Sequence, residues 1–370
     1  MCIYYKNRND LTYIGQEHVI PAGLGGLAKL PKTFVSDQFN THFSKIEQSF
    51  LRESIIGGVR QIIGPGSRGR MTERYETKSK VHVLRDYPDG SNLSLGYIRK
   101  GKPYLISYII LNTATNEIGV GFNNFTGFDP VVAFTAFKEQ CAKALELKIR
   151  RFIDNALPVN MVLFGIGKDI EENYDAFFVK NESNPCIMGT DLIQAIGKSV
   201  GKNVAIPEAS SNKIKSAQTA VWKEEYFRLY GKMLFNLLAH IKGEEFVQQD
   251  CLNDLREWII HGGENRFAQL SNGRLDVLQH WGLDWPEDAH IFLLMTEKDT
   301  QYALCSLYNS MVVRVEMANH VQKPIHFDGL ICDWKNRREC RIGEFVAGCA
   351  MKIAQQQTGN SMGGNGQSSF

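Results

Sequence analysis

Long apolar runs are missing from this 370-residue chain. Nowhere do 18 or more apolar residues stand together, which argues against a membrane-spanning helix. The N-terminus, Met1-Cys-Ile-Tyr-Tyr-Lys6, lacks the apolar core of a signal peptide, so the cytoplasm is the expected location. Paired cysteine spacings are missing too. Cys2, Cys141, Cys186, Cys251, Cys305, Cys332, Cys340 and Cys349 fit no disulfide framework and are expected as free thiols packed as small apolar groups. Cys332 and Cys340, with His320 and His326 nearby, match no common metal spacing. Ile196-Gly197-Lys198-Ser199 ends like a P-loop, but Leu192 stands where the first glycine is needed. Gly165-Ile-Gly167-Lys168 is a lone glycine pair and reads as a turn. There is no internal repeat. A large excess of one charge is also lacking, since the net charge is +2. Its distribution is uneven: residues 1–103 hold 16 Lys+Arg against 9 Asp+Glu, or +7, which leaves −5 for the remainder. A basic N-terminal stretch suits a polyanionic partner.

What is present is an ordinary globular composition, 43% hydrophobic and 22% charged, long enough for two or three domains. Residues 2–20 alternate loosely around Asn7-Arg8-Asn9-Asp10 and read as a β-hairpin with His18 near the end of its second strand. Pro21 to Pro31 is a loop, and Asn40 to Glu53 has helical spacing. Residues 55–80 form a glycine-rich connector carrying Arg60, Arg68, Arg70 and Arg74, either a track for a nucleic-acid backbone or a solvated linker. Strands are expected at Val81–Leu84, Leu93–Ile98, Tyr104–Leu111 and Ile118–Phe122, with Asp89-Gly90 and Asn116 as turns. A helix follows from Asp129-Pro130 to about Asp154, then strands at Val159–Phe164 and Ala176–Val179. Composition shifts near Ile206-Pro207 and Ser210-Ser211-Asn212. Beyond it, helices are expected at Trp222–His240, Asn253–Ile260 and Ile342–Ala354. Strands are expected at Ala289–Met295, Gln301–Tyr308, Met311–Glu316 and Ile325–Asp328. The divisions are therefore 1–75, 76–205, 206–354 and a disordered tail, 355–370.

The densest chemistry lies in Glu17-His18-Val-Ile-Pro21, Leu24-Gly25-Gly26 and Phe39-Asn40-Thr-His42-Phe-Ser-Lys45. An imidazole can take a proton from water near neutral pH. A hard divalent cation wants a carboxylate and an amide oxygen, and once held it can stabilise charge on a leaving oxygen. His18 is thus the candidate general base, and Glu17 and Asn40 are the candidate metal ligands. His42 is a further ligand or phosphate contact, and Arg60, Arg68 and Arg70 are candidates to hold a nucleic-acid backbone. The plainer alternatives are a hydrogen-bonded histidine at a strand end and an asparagine helix cap.

Together with Cys2-Ile-Tyr-Tyr5 and Ser36-Asp-Gln-Phe39-Asn40, these blocks resemble the HNH endonucleases of the ββα-metal type. The likeness is closest to the bacterial variety written C-x-x-C, E-H-I-I-P, L-G-G, C-x-x-C-N, and it covers about residues 1–70. It implies an α+β chain with an N-terminal ββα-metal module followed by a larger mixed α+β body. It also implies hydrolysis of DNA phosphodiesters, with His18 activating water and Mg²⁺ or a similar ion on Glu17 and Asn40. The departures matter as much. Relatives carry a structural zinc on two C-x-x-C pairs, but here Tyr5, Ser36 and Phe39 accompany Cys2. Tyr and Phe cannot serve as ligands of that kind, so no structural zinc is expected. Either packing around Tyr5 and Phe39 replaces the metal, or the module is a decayed copy. The second expectation is accordingly a catalytically degenerate HNH protein that binds nucleic acid or serves in assembly. The body would supply target choice, an interface for a protein partner or a second copy, or an activation signal, and a weaker reading makes it a small-molecule sensor that gates the nuclease. A restriction or defence setting follows from the family by analogy only.

Overall fold

The computed structural model describes residues 1–86, 92–121, 130–144, 147–168, 174–185, 214–216, 222–271, 283, 285–309 and 311–362. The Asp89-Gly90 turn, Cys186, the Gly197-Lys198-Ser199 stretch and the expected boundary at 206–212 lie outside these residues. The elements are mixed α and β. They fall in two compact units, one of Met1–Arg60, Gly64–Glu76 and Ala220–Phe370, the other of Gln61–Ile63 and Thr77–Thr219.

The N-terminal segment does not form the expected hairpin. Its backbone groups bond elsewhere: Ile3 N–H donates to Phe34 O at 2.8 Å, Arg256 Nε donates to Ile3 O at 2.7 Å, and Gln248 Nε2 donates to Cys2 O at 3.3 Å. His18 instead faces Lys29 in an isolated antiparallel bridge, closed by Val19 N–H to Ala28 O and Leu30 N–H to Glu17 O, both 2.9 Å. Helix α1 (Asp37–Glu53) follows, then α2 (Ile55–Ile63). α1 starts three residues before the expected Asn40 because Ser36 caps it, its hydroxyl accepting the Phe39 N–H at 3.3 Å. Phe39, Phe43, Ile46 and Phe50 are buried on one stripe of α1.

The second unit holds two sheets. Strands β1 (His82–Asp86), β2 (Leu93–Arg99), β3 (Lys102–Leu105) and β9 (Ile214–Ser216) are ordered β3-β2-β1-β9. The other sheet, β5-β4-β7-β8-β6, comprises β4 (Ser107–Asn112), β5 (Glu117–Gly121), β6 (Ile149–Ile153), β7 (Met161–Lys168) and β8 (Tyr174–Lys180). The single strand expected over Tyr104–Leu111 is thus two strands in two sheets, split at Ile106. Helix α3 (Pro130–Ala144) stops ten residues before the expected Asp154. The Ile149–Ile153 stretch, rich in β-branched and aromatic residues, pairs in parallel with β8 instead. Gly165 and Gly167 lie inside β7 rather than in a turn, with Ile106 crowding both positions. Asn116 turns between β4 and β5 with φ +59°.

In the first unit, α4 (Glu225–Lys242), α5 (Glu244–Val247) and α6 (Asn253–His261) precede a six-stranded antiparallel sheet. Its order is β10-β13-β12-β11-β14-β15, from β10 (Ala268–Ser271), β11 (His290–Glu297), β12 (Thr300–Leu307), β13 (Met311–Asn319), β14 (Phe327–Asp333) and β15 (Arg338–Arg341). α4 packs on β10 to β13 and also against α1. Such two-sided burial explains why nearly every residue from Tyr226 to Ala239 is buried. The sequence separates residues 1–75 from those beyond 206, but burial of Tyr4, Phe39, Phe43 and Phe50 joins them in one unit. The last helix, α7 (Ile342–Met362), runs eight residues past the expected Ala354, and the tail beyond 362 lies outside the described residues. Among the described residues no helix is long and apolar enough to cross a membrane.

Candidate functional site

The loop after His18 is shaped by two glycines. Gly25 adopts φ +93°, where an L side chain is strained. A Cβ at Gly26 would collide with the Ile20 carbonyl. The sheet of the same unit then pins this loop. His290, fully buried, accepts the Tyr308 N–H on Nδ1 and donates from Nε2 to Leu24 O, both 3.1 Å. Burial pushes its pKa down to about 3, so the ring is neutral and its tautomer is set by these two bonds. The Glu339 carboxylate accepts the Leu27 and Ala28 N–H groups at 2.8 and 2.6 Å.

Beside the loop is a cleft of about 490 Å³ lined by His18, Gly25, Gly26, Lys29, Arg68 and Arg337, among others. Burial, then the charge of Lys29, holds His18 below the ordinary histidine value, against the pull of Glu17, Glu339 and Glu47. The imidazole is therefore mostly neutral at pH 7 and able to accept a proton. Arg68 and Arg337 both sit in the left-handed region, with φ +52° each, a strained conformation for side chains of this size. Arg337 spends one guanidinium nitrogen on Gly69 O at 3.0 Å. The side chains of Lys29 and Arg68 have no hydrogen bond or ion pair among the described residues. A neutral base facing three cations is a site for an anion and for proton abstraction next to it.

Glu17 points elsewhere. Its Oε1 lies 2.6 Å from the Lys232 Nζ, which is also 3.3 Å from Glu47 Oε2. Lys232 is only 3% exposed. Burial lowers its pKa, but the charges and hydrogen bonds of Glu17 and Glu47 outweigh that, and the net shift is upward. One turn along α4, Asn236 donates to His18 O at 3.1 Å and accepts the Tyr4 hydroxyl at 2.7 Å. The α1 carboxylate that shares this ammonium with Glu17 is Glu47, two turns along the helix from Asn40. The Asn40 Oδ1 is buried with no hydrogen-bond partner among the described residues. His42 is engaged at the end of α6, its Nε2 donating to Ile260 O at 3.0 Å, and it joins neither carboxylate. Among the described residues no group of three His, Cys, Asp or Glu side chains could hold a metal. Of the residues expected to hold an ion, Glu17 thus pairs with the Lys232 ammonium and His42 bonds to Ile260 O.

The four positions that match the relatives' zinc cysteines lie in contact in pairs. Cys2 Sγ approaches Ser36 Oγ at 3.7 Å, and the rings of Tyr5 and Phe39 meet edge-on at 5.9 Å. Tyr4 stacks on Phe39 at 3.7 Å, a contact that favours apolar packing as the staple of this segment.

The three candidate arginines separate. Arg60 is 7% exposed and donates to Gly23 O, Leu51 O and Gly66 O at 2.6, 3.4 and 2.9 Å. It is a structural brace and cannot face a nucleic acid, which corrects its assignment. Arg70 is exposed and lies over Tyr75 at 4.2 Å. Only Arg68 lines the cleft. Arg60→Ala is therefore expected to lower stability by about 3 kcal/mol, since three buried carbonyls lose a charged donor. Arg68→Ala should unfold like the wild type. Thermal denaturation of the two variants side by side checks this.

The comparisons with known proteins are sparse. No protein-family model matches the chain, and no solved structure matches it. Over 135 residues it is 23% identical to a 2,3-bisphosphoglycerate-independent phosphoglycerate mutase from Picrophilus torridus. That stretch covers 36% of this chain and 32% of the mutase, about a third of that protein's length.

Sequence reading missed Lys29, Glu47, Lys232, Asn236, Arg337 and Glu339. A signal existed for two of them. Lys232 and Asn236 are spaced i, i+4 inside an otherwise apolar stretch of α4, the mark of a polar pair with buried partners.

Proposed function

We propose that the chain is a phosphodiester hydrolase of the HNH type that acts on DNA at the His18 cleft. The observation that carries this reading is a neutral His18 lining one cleft with Lys29, Arg68 and Arg337. A phosphate in the cleft would be held by these cations, two of them guanidinium groups suited to paired phosphate oxygens. His18 takes a proton from a water whose oxygen attacks phosphorus. The bond to the leaving 3′ oxygen breaks, that oxygen takes a proton from solvent, and a 5′-phosphate and a 3′-hydroxyl result. Lys29, Arg68 and Arg337 offset the charge that grows on the phosphoryl oxygens. The clustering of Cys2, Tyr5, Ser36 and Phe39 supports the likeness to HNH proteins, since these are the positions where relatives place zinc.

A second reading is a degenerate HNH protein that binds DNA without cutting it. It is favoured by the engagement of Glu17 with Lys232. Plasmid nicking and salt-dependent DNA binding separate the two. The first reading expects nicking by the wild type, and it expects Arg68→Ala to weaken binding and to reduce the slope of log affinity against log salt by about 1. Binding that depends on Arg68 with no nicking on any substrate would leave the second reading. Binding and nicking both indifferent to Arg68 and Arg337 would remove the cleft from either.

A further inference from the structure

We infer that Lys232 takes the place of a divalent cation between Glu17 and Glu47, so that the His18 cleft needs no bound metal. The inference rests on the hydrolase reading for its consequence, but its structural half stands apart from it.

Two carboxylates from distant parts of the unit, one at the His18 bridge and one on α1, converge on a single ammonium at 2.6 and 3.3 Å. Carboxylates converge in this way on a hard cation, and bringing them together without a positive charge would be costly. The ammonium cannot swing into water to make room. Lys232 lies at mid-length of a helix packed on both sides and is 3% exposed. Its Nζ lies 5.2 Å from the centre of the Phe43 ring. Asn236, on the same face, fastens the helix to His18 O and the Tyr4 hydroxyl. Removing one member of a buried ion pair leaves an uncompensated charge, so the cluster holds its lysine strongly. An ammonium supplies charge but no open coordination positions. Neutralisation at phosphorus then falls to Lys29, Arg68 and Arg337.

The experiment measures Mn²⁺ binding to the full chain without nucleic acid, by electron paramagnetic resonance and by the shift in Tm. It compares wild type, Glu17→Gln and Lys232→Met. The expected result is no Glu17-dependent Mn²⁺ binding by the wild type up to millimolar concentrations. Lys232→Met is expected to gain a Mn²⁺ site. Binding by the wild type that Glu17→Gln abolishes would overturn the inference, as would a folded Lys232→Met that binds no more Mn²⁺ than wild type. Should Lys232→Met fail to fold, the wild type and Glu17→Gln comparison decides alone. A parallel nicking assay should run at an unchanged rate in EDTA. Nicking that stops in EDTA and returns with Mg²⁺ would overturn the metal-free cleft. Absence of nicking under every condition would overturn the hydrolase reading, while the Mn²⁺ measurement still decides the role of Lys232.

Discussion

His18→Ala is expected to lower the rate of DNA cleavage by about 10²–10⁴-fold, the usual contribution of a positioned general base. The fold should tolerate the change. The His18 side chain makes no hydrogen bond among the described residues, whereas its carbonyl, which the substitution keeps, is the atom that Asn236 holds. A loss of Tm comparable with that of Arg60→Ala would show that the residue is structural. The pH profile offers a sharper check. Burial and then the charge of Lys29 lower the His18 pKa, and together they outweigh the charges of Glu17, Glu339 and Glu47. A base must be neutral, so the rate should rise with pH and level off with its midpoint below 6.5, the ordinary histidine value. Lys29→Met removes a charge that disfavours the imidazolium, and it should move that midpoint upward. A midpoint above 6.5 in the wild type, or a downward shift in Lys29→Met, would count against His18 as the base.

The second large effect concerns folding. Residues 1–76 made alone are expected to be unfolded, although a self-contained nuclease module was the natural reading of the motif. Tyr4, Phe39, Phe43 and Phe50 are buried. Tyr4 lies 5.4 Å from Phe235, and Phe50 meets Tyr226 and Tyr230 edge-on, all three partners on α4. Each such side chain contributes roughly 1.5–3 kcal/mol on burial. Exposing four of them removes about as much as the whole net stability of a typical domain, roughly 5–15 kcal/mol. Removal of α4 would also leave Glu17 and Glu47 without their ammonium. Circular dichroism and amide proton dispersion of the fragment measure this directly. A cooperative melt of the isolated fragment would refute the expectation.

Much was legible in local pattern. Helical spacing located α1, α4 and α6, and alternation located most strands of both units, because those signals lie within a few residues of one another. Glu17-His18 and Leu24-Gly25-Gly26 marked a loop that the fold shapes closely. His18 lines a cleft there, and the glycines are required by a positive φ and a close approach. Errors arose where a segment's partner is remote. The Ile149–Ile153 stretch continues a helical pattern until β8 is available to pair with it. Residues 2–20 look like a hairpin until their backbone bonds with Phe34, Gln248 and Arg256 are seen. Arg60 and Arg68 are indistinguishable as letters. One faces inward onto three carbonyls and the other faces a cleft, a difference set by the path of the chain around them.

The amino-acid sequence by itself determined an α+β chain and singled out His18 as a candidate, since those readings rest on composition and short-range order. Only the tertiary structure decided what surrounds that histidine. Asn236, Arg337 and Glu339 lie more than two hundred residues from it. They reach it because α4 must bury both its faces, one under α1 and the other on the sheet, and the sheet holds the His18 loop through His290 and Glu339.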